Sequence, residues 1–543
     1  MNIFTTLDWS VLILFFIALG SIIWWAIKQK QDSSEDYFLA GRNLGWFVIG
    51  ASIFASNIGS EHIVGLAGTA AESGMAMGHY ELHSWIILLL GWVFVPFYLR
   101  STVFTMPEFL ERRYSESARW ILTIITLISY ILTKVSVTVY AGAVVFETLM
   151  GIEFWSGALL IVLVTGAYTI LGGLRAVIYT DALQALVLLF GSITITVTGL
   201  IKLGGWGNLI DQVGSSHFNM FLPYDHPDFP WVGMVFAPPI IGIWYWCTDQ
   251  YIVQRVLSAK NETQARKGTI FAGYLKLLPI FMFFIPGLIA YAMSKSGTLS
   301  YGSSDQVFPT LVRELLPSGV RGLVAGSLIA ALMSSLSSVF NSCSTLFTID
   351  IYKKLKPDTS EKKLVFVGRI ATGVVVISGI LWIPLMKVVS SGGLYTYLQS
   401  VQAYIAPPIA AVFLLGLFWS RINAIGALAA LVGGFSAGMI RLGLEINKVN
   451  LSEGIWLSIA DLNFLYFAIF SFLSCIAILV VVSVLTPEPD YKKLEGLTYG
   501  TTLSKDTEVS KNSWTNIDVV NSAVIVAIVL LILLYFSPVG IGG

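Results

Sequence analysis

Six ionisable side chains interrupt stretches that are otherwise apolar: Glu61, Glu81, Lys134, Asp181, Asp249 and Lys276. Each would cost roughly 2.5–3.5 kcal/mol at the centre of a bilayer, so each must face another such group, a backbone carbonyl or water. For Lys134 and Asp249, a pair that only holds helices together explains the residues as well as a functional role does. Around Glu61, Glu81 and Lys276 the neighbouring residues point instead to a solute site. A second cluster is hydroxylic, Ala331-Leu-Met-Ser334-Ser335-Leu-Ser337-Ser338. At about 100° per residue its four serines cover a face about 160° wide, and a hard cation seeks such oxygen ligands. Taken alone, the run is better explained by small-residue helix packing with hydroxyls bonded to their own backbone. His79, Glu81 and His83 imitate a metal motif, but Glu81 projects roughly 200° away from the histidine before it, and the spacing is not His-Glu-x-x-His. With no nucleophile elbow, phosphate loop or Cys/His cluster in the sequence, an enzyme is not expected.

The elements that position these groups are membrane helices. Of 543 residues 56% are hydrophobic and 12% are charged, against about a quarter charged in soluble globular proteins. Lys plus Arg (32) balance Asp plus Glu (32), leaving no basic excess for nucleic acid. Cys247, Cys343 and Cys475 are scattered through apolar stretches, too few for a disulfide framework or a zinc site. A window of about 19 residues selects fourteen spans, at 8–27, 46–70, 80–103, 119–147, 155–173, 177–201, 232–254, 268–293, 320–348, 365–388, 395–418, 423–444, 461–485 and 519–540. The first span reads as retained rather than as a cleaved signal. One membrane domain, 1–543, follows. Loop basic residues, Arg255 among them, divide 23 to 7 between the two faces, which places the richer face in the cytoplasm and both termini outside it.

Two spans carry breaks. The second reads Gly50-Ala-Ser-Ile-Phe-Ala-Ser-Asn-Ile-Gly-Ser-Glu-His-Ile-Val-Gly65, a composition that no continuous lipid-facing helix would choose. The expectation is an unwound stretch lining a cavity. The seventh repeats the device with Pro238-Pro239 followed by Gly242-Ile-Trp-Tyr-Trp-Cys-Thr-Asp-Gln250. Each broken span is followed by four more, suggesting two five-helix repeats, 46–201 and 232–418, preceded by the helix 8–27 and followed by three helices over 423–540. Breaks at matching positions of paired repeats mark a midplane substrate site.

Several long segments then carry a resemblance: Asp36-Tyr-Phe-Leu-Ala-Gly-Arg42, Gly59-Ser-Glu-His-Ile-Val-Gly-Leu-Ala-Gly68, Ile178-Tyr-Thr-Asp-Ala-Leu-Gln184, Trp244 to Arg255, Gly273 to Pro279, Ser334 to Tyr352 and Pro407 to Phe413. Over nearly the whole chain the sequence resembles the sodium/glucose cotransporters of the sodium/solute symporter family. The resemblance implies an all-α polytopic membrane protein with a LeuT-type 5+5 inverted-repeat core, one extra N-terminal and three extra C-terminal helices, fourteen in all. It implies sugar contacts from Asn57, His62, Glu81, Ser84, Lys276 and Gln399, with Tyr80 toward the outer gate and Tyr245 and Trp246 at the inner one. A first sodium would lie among the carbonyls of Ala55, Ile58 and Ala331 and the hydroxyls of Ser334 and Ser335. The two-sodium members pair an aspartate with hydroxyls at the positions of Asp181, Ser337 and Ser338, so a second sodium is predicted.

The implied activity is sodium-coupled symport of a glucose- or galactose-type hexose by alternating access in the plasma membrane. Gly242 and Gln402 depart from the pattern of glucose carriers, and the Gly-Ser-Glu-His variant at 59–62 also occurs in carriers of other rings, so myo-inositol, mannose and fructose stand as alternatives. From other classes, a sodium channel would pass solute-independent current, and a solute sensor would need an output domain. The expected partners are the solute, sodium and the lipid bilayer; the sequence does not say whether an accessory subunit joins them.

Overall fold

The computed structural model describes residues 4–29, 33–59, 61–389 and 394–543. Lys30 and Ser60 fall outside these residues, and the side chains of Glu61 and Lys387 are not described. The architecture is helical, and among the described residues the sole β pairing is an isolated bridge between Leu44 and Ala259.

In chain order the principal helices are α1 (Thr6–Ile27), α2 (Trp46–Asn57), α3 (Ala67–Ser73), α4 (Ala76–Arg100), α5 (Glu116–Met150), α6 (Phe154–Leu171), α7 (Gly173–Leu203) and α8 (Trp231–Thr248). They continue with α9 (Gln250–Leu257), α10 (Glu262–Lys295), α11 (Val320–Leu355), α12 (Glu361–Val389), α13 (Leu394–Phe418), α14 (Ala424–Ile446), α15 (Phe464–Leu485) and α16 (Asn516–Tyr535). Twelve of them are long and apolar enough to cross a bilayer. The remaining two predicted spans fall on the interrupted α2–α3 segment and on α12.

Local chemistry sets the boundaries. Thr5 and Asp8 form a capping box on α1, and Glu153, Asn261, Asn423 and Asn463 accept backbone N–H bonds at the starts of α6, α10, α14 and α15. Each satisfies a donor that a helix start leaves without an intrahelical acceptor. Gly173 separates α6 from α7 at φ 56°, ψ −160°. A Cβ there would meet the Tyr37 ring at 2.8 Å, so both the angle and the close approach require glycine.

Burial identifies the centre of the bundle. The apolar window of α11 is 94% buried, whereas those of α1, α15 and α16 are 22% buried. The last three therefore sit at the rim with apolar faces outward, as lipid demands. The α6–α7 arm packs most extensively on α11, and α2 lies against both α10 and α7. The polar connector after α15 is fastened to the start of α10, where Ser510 and Ser513 donate to Glu262 Oε1 at 2.6 and 3.1 Å. The loop after α7 meets the far end of α16, where Met220 N donates to the Phe536 carbonyl at 2.8 Å. Since α16 runs from the first of these places to the second, the two stretches lie on opposite faces of the bundle, as alternation of spans requires.

Candidate functional site

Both predicted interruptions exist, the second at the far end of its predicted stretch. The α2 helix stops at Asn57, Ile58 leaves helical geometry at φ −76°, ψ 80°, and Gly59 N turns back to the Asn57 carbonyl at 2.8 Å. In the seventh span, where the sequence marks 238–250, α8 runs helically through both prolines. It opens only at Asp249, which is extended at φ −77°, ψ 127° and caps α9 by accepting from Tyr251 N at 3.2 Å. A buried membrane helix tolerates the lost proline bonds because its neighbours shield the freed carbonyls, while an aspartate can restart a helix that a proline only weakens.

The end of α2 and the last turns of α8 before its break face one pocket, lined by Asn57, His62, Tyr80, Glu81, Tyr245, Trp246, Lys276 and Gln399. Eight of the nine residues expected to contact sugar are thus brought together. Ser84 is not: it is fully buried one turn beyond the wall, and its hydroxyl finds no partner. An ion pair crosses the middle of the pocket. Lys276, where the first stretch of α10 ends, donates to Glu81 Oε2 at 2.5 Å and to Asn57 Oδ1 at 2.8 Å. His62 Nε2 lies 3.4 Å from Glu81 Oε1. Lys276 and Glu81 side chains are 2% and 1% exposed, so the pair replaces the hydration each charge has lost.

Aromatic rings surround this polar cross. Tyr245 accepts from Asn57 Nδ2 at 3.3 Å, stands edge-on to Trp246 at 5.0 Å and carries Lys134 Nζ 4.6 Å from its ring centroid. Trp246 donates its indole N–H to His83 Nδ1 at 3.4 Å. A Cβ at Gly242 would come within 2.5 Å of the Ile86 side-chain tip and 3.0 Å of the His83 ring, so a larger residue there would have to push those side chains aside. His79 bonds instead to the Met220 carbonyl, so the His-x-Glu-x-His residues diverge toward three different partners. Among the described residues no group of three His, Cys, Asp or Glu could hold a metal.

Tyr395 was missed by sequence reasoning. Its hydroxyl donates to Glu81 Oε1 at 3.2 Å, and it also lines a neighbouring cavity with Glu72, Asp228 and Asp305. Nothing in the spacing of Leu394-Tyr-Thr-Tyr397 singles it out. Gln402 lines the pocket one turn beyond Gln399, whose Oε1 has no hydrogen-bond partner. The free space amounts to ≈ 30 Å³, against roughly 300 Å³ at the low end for small-molecule sites. Its own side chains fill most of the site.

The expected ion ligands are buried where α2 meets α11 and α7. Ala55, Ile58, Ala331, Ser334, Ser335, Ser337, Ser338 and Asp181 are each at most 3% exposed. Ser335 Oγ donates to the Ser56 carbonyl at 3.4 Å and so bridges α11 to the frayed end of α2. Ser334, expected in the first set, donates to Asp181 Oδ1 instead and joins the second. Ser337, expected beside Asp181, turns back to the Ser334 carbonyl at 2.9 Å. Around Asp181 the structure adds Ser52 at 2.7 Å, Ser56 at 3.2 Å and Arg255, whose Nη2 is 3.8 Å from Oδ2. Ser52 and Ser56 were legible as an i, i+4 pair on one helix face. Arg255 had been counted with the cytoplasmic loops, yet it is fully buried.

Comparisons with known proteins accord with this arrangement. The family model for the sodium:solute symporter family matches residues 37–434. The chain is 40% identical over 530 residues to sodium/glucose cotransporter 1 of Oryctolagus cuniculus, covering 89% of this chain and 80% of that one. It is 39% identical over 534 residues to sodium/myo-inositol cotransporter 2 of Bos taurus, covering 91% and 79%. Among solved structures, a Na+-coupled sialic acid symporter in a substrate-bound outward-open state superposes with TM-score 0.76 at 23% identity, over 89% of this chain and 98% of that one. A nucleobase-cation-symport-1 family transporter gives 0.52 at 14%, over 89% and 99%. At these identities the two structures speak for the fold, which is of the LeuT type.

Proposed function

This chain belongs to the sodium:solute symporter family, and from that premise we propose that it carries a monosaccharide of the glucose or galactose type across the plasma membrane, driven by two sodium ions per sugar. The observation that carries the reading is the polar cross of Asn57, Glu81, Lys276 and Gln399, walled by Tyr245 and Trp246. A pyranose has an apolar C–H face and a rim of hydroxyls, and this wall offers a ring for the one and amide, carboxylate and ammonium groups for the other. Asn57, His62, Glu81, Lys276 and Gln399 take the hydroxyls, Tyr80 and Tyr395 close the outer side, and Tyr245 and Trp246 the inner. Ser84 acts from behind the wall.

In this reading Ala55, Ile58, Ala331 and Ser335 hold the first sodium, and Asp181 with Ser334 and Ser338 the second. The chain crosses the membrane fourteen times with both termini outside the cytoplasm, and its repeats span 46–201 and 232–418. One sodium descending a tenfold gradient and 100 mV releases about 2.3 plus 1.4 kcal/mol, enough for roughly 500-fold accumulation; two allow on the order of 10⁵-fold. A cyclitol is the second reading, favoured by the similarity to a sodium/myo-inositol cotransporter and by Gln402 in the wall.

The test is uptake into proteoliposomes under an imposed sodium gradient with a panel of labelled hexoses and cyclitols, and charge movement recorded beside flux. Concentrative, sodium-dependent hexose uptake with two charges per sugar is expected. Uptake of neither class, or uptake indifferent to sodium, refutes the proposal.

A further inference from the structure

The ionic surroundings of Asp181 hold more than a sodium site requires. Its Oδ1 accepts from Ser334, and its Oδ2 from Ser52 and Ser56. Arg255 pairs with Oδ2 at 3.8 Å, with neither side chain exposed at all. The same guanidinium donates to Ser338 Oγ, to Ser52 Oγ at 3.2 Å and to the Tyr251 carbonyl. Asp181 and Ser338 are the two groups a second sodium would need, and Arg255 engages both.

We propose that Arg255 is a tethered cation that takes the second ion's place between Asp181 and Ser338, and that sodium must displace it to bind. This rests on the sodium-coupled reading of the chain. A carboxylate without exposure needs a positive partner, and among the described residues Asp181's ion-pair partner is Arg255. Two cations held by one carboxylate repel each other in a medium that screens poorly. The guanidinium and the ion therefore exclude one another.

The placement of the four partners gives the exclusion a mechanical consequence. Arg255 stands on α9, the far half of the second broken span, and reaches Ser52 on α2, the near half of the first. Asp181 lies on α7 and Ser338 on α11, the helices of the surrounding scaffold. With the guanidinium in place, both half-helices are fastened to those helices, α2 through Ser52 to Asp181 and α9 through Arg255 to Ser338. When an ion takes Asp181 and Ser338, the α9 fastening is released, so occupancy of the site and freedom of the inner half are linked in both directions.

The test is Arg255→Gln, with sodium affinity read from the shift in melting of purified protein and from half-saturating sodium in uptake. If the guanidinium occupies the site nine-tenths of the time, its removal lowers half-saturating sodium about tenfold. Sodium leak without sugar rises. Arg255→Lys keeps a charge and stays near the wild type. Where Arg255→Gln fails to fold for want of a partner to Asp181, the double variant Asp181→Asn/Arg255→Gln removes both charges and should yield one charge per sugar. An Arg255→Gln protein that is monodisperse yet has unchanged or raised half-saturating sodium overturns the inference. So does a double variant that keeps the wild-type charge ratio, or a wild type that moves one charge per sugar, since Arg255 would then never leave. Those results leave sodium-driven uptake standing; only a wild type indifferent to sodium removes both proposals together.

Discussion

The ion pair across the pocket offers the sharpest test of the site, by a double-mutant cycle on Glu81 and Lys276. Glu81→Gln removes the carboxylate from the Lys276 ammonium and keeps its bond to Asn57 Oδ1 at 2.8 Å. Lys276→Gln leaves the carboxylate with His62 and with Tyr395 at 3.2 Å. Both partners are almost wholly buried, so breaking the pair from either side costs about 3–5 kcal/mol, whereas removing both charges costs far less. Melting followed by intrinsic fluorescence should place both single variants well below the wild type and Glu81→Gln/Lys276→Gln between them and it. Binding of labelled sugar should follow another pattern. Loss of one charge-assisted bond to a hydroxyl is worth about 1.5–3 kcal/mol, roughly 10- to 150-fold in affinity, and the double variant should not recover it. Additive melting shifts would mean that the two charges are not coupled and that the polar cross is an accident of packing. Recovery of sugar affinity in the double variant would remove both residues from the binding site.

Four further outcomes are expected. Gln399→Ala should weaken apparent sugar affinity about two- to tenfold, the worth of one neutral hydrogen bond, with sodium-induced stabilisation unchanged in the same protein. Ser335→Ala should raise half-saturating sodium several-fold by removing the hydroxyl that meets the end of α2; unchanged sodium dependence would displace the first ion site. Tyr245→Ala should alter turnover or sugar retention more than affinity, read by pre-loaded sugar efflux. His217 lies in the loop after α7 and stacks on Tyr291 at 4.5 Å. Burial, and then the nearby Lys295 charge, depress its pKa below the usual 6.5. Its unfolded form binds a proton more readily than its folded form, so melting temperature should fall as pH drops through 6.5, and His217→Phe should flatten that slope.

How legible this molecule is from its residues depends on whether a feature offends the bilayer. Glu81, Lys276 and Asp181 stand out because a charge in an apolar run has no bland explanation, and the structure gives each an oppositely charged partner. The break at Asn57 was visible because Gly59 and its polar neighbours cannot face lipid as a helix. The second break is legible only as the stretch 238–250, because proline is a local signal, while the opening at Asp249 depends on which side chain can cap the resumed helix. Arg255 escaped notice for the converse reason: it falls just past the apolar window, where a basic residue ordinarily meets water, and only tertiary packing turns it inward. Ser334 and Ser337 share a helix with Ser335 and Ser338, and sequence places all four on one broad face. Which hydroxyl turns to Asp181 and which to its own backbone is a rotamer choice that spacing does not encode.

The filled pocket constrains how sugar and ion can cooperate. With ≈ 30 Å³ free, a pyranose bound at the proposed site would have to replace the existing bonds rather than add to them, taking Lys276 from Asn57 and Tyr395 from Glu81. Exchange of one hydrogen bond for another nets only about 0.5–1.5 kcal/mol each, so the sugar gains little unless the pocket is held open for it by something else. That something has to act on α2, because Asn57, the last residue of its helix, stands in the pocket wall, while the carbonyl of the preceding Ser56 receives Ser335 from α11. At the proposed first site, an ion gripping the frayed carbonyls beside Ser335 would fix the end of α2 without touching the sugar and would spare the sugar that ordering cost. Affinity for sugar should therefore rise with sodium, and affinity for sodium should rise with sugar by the same factor.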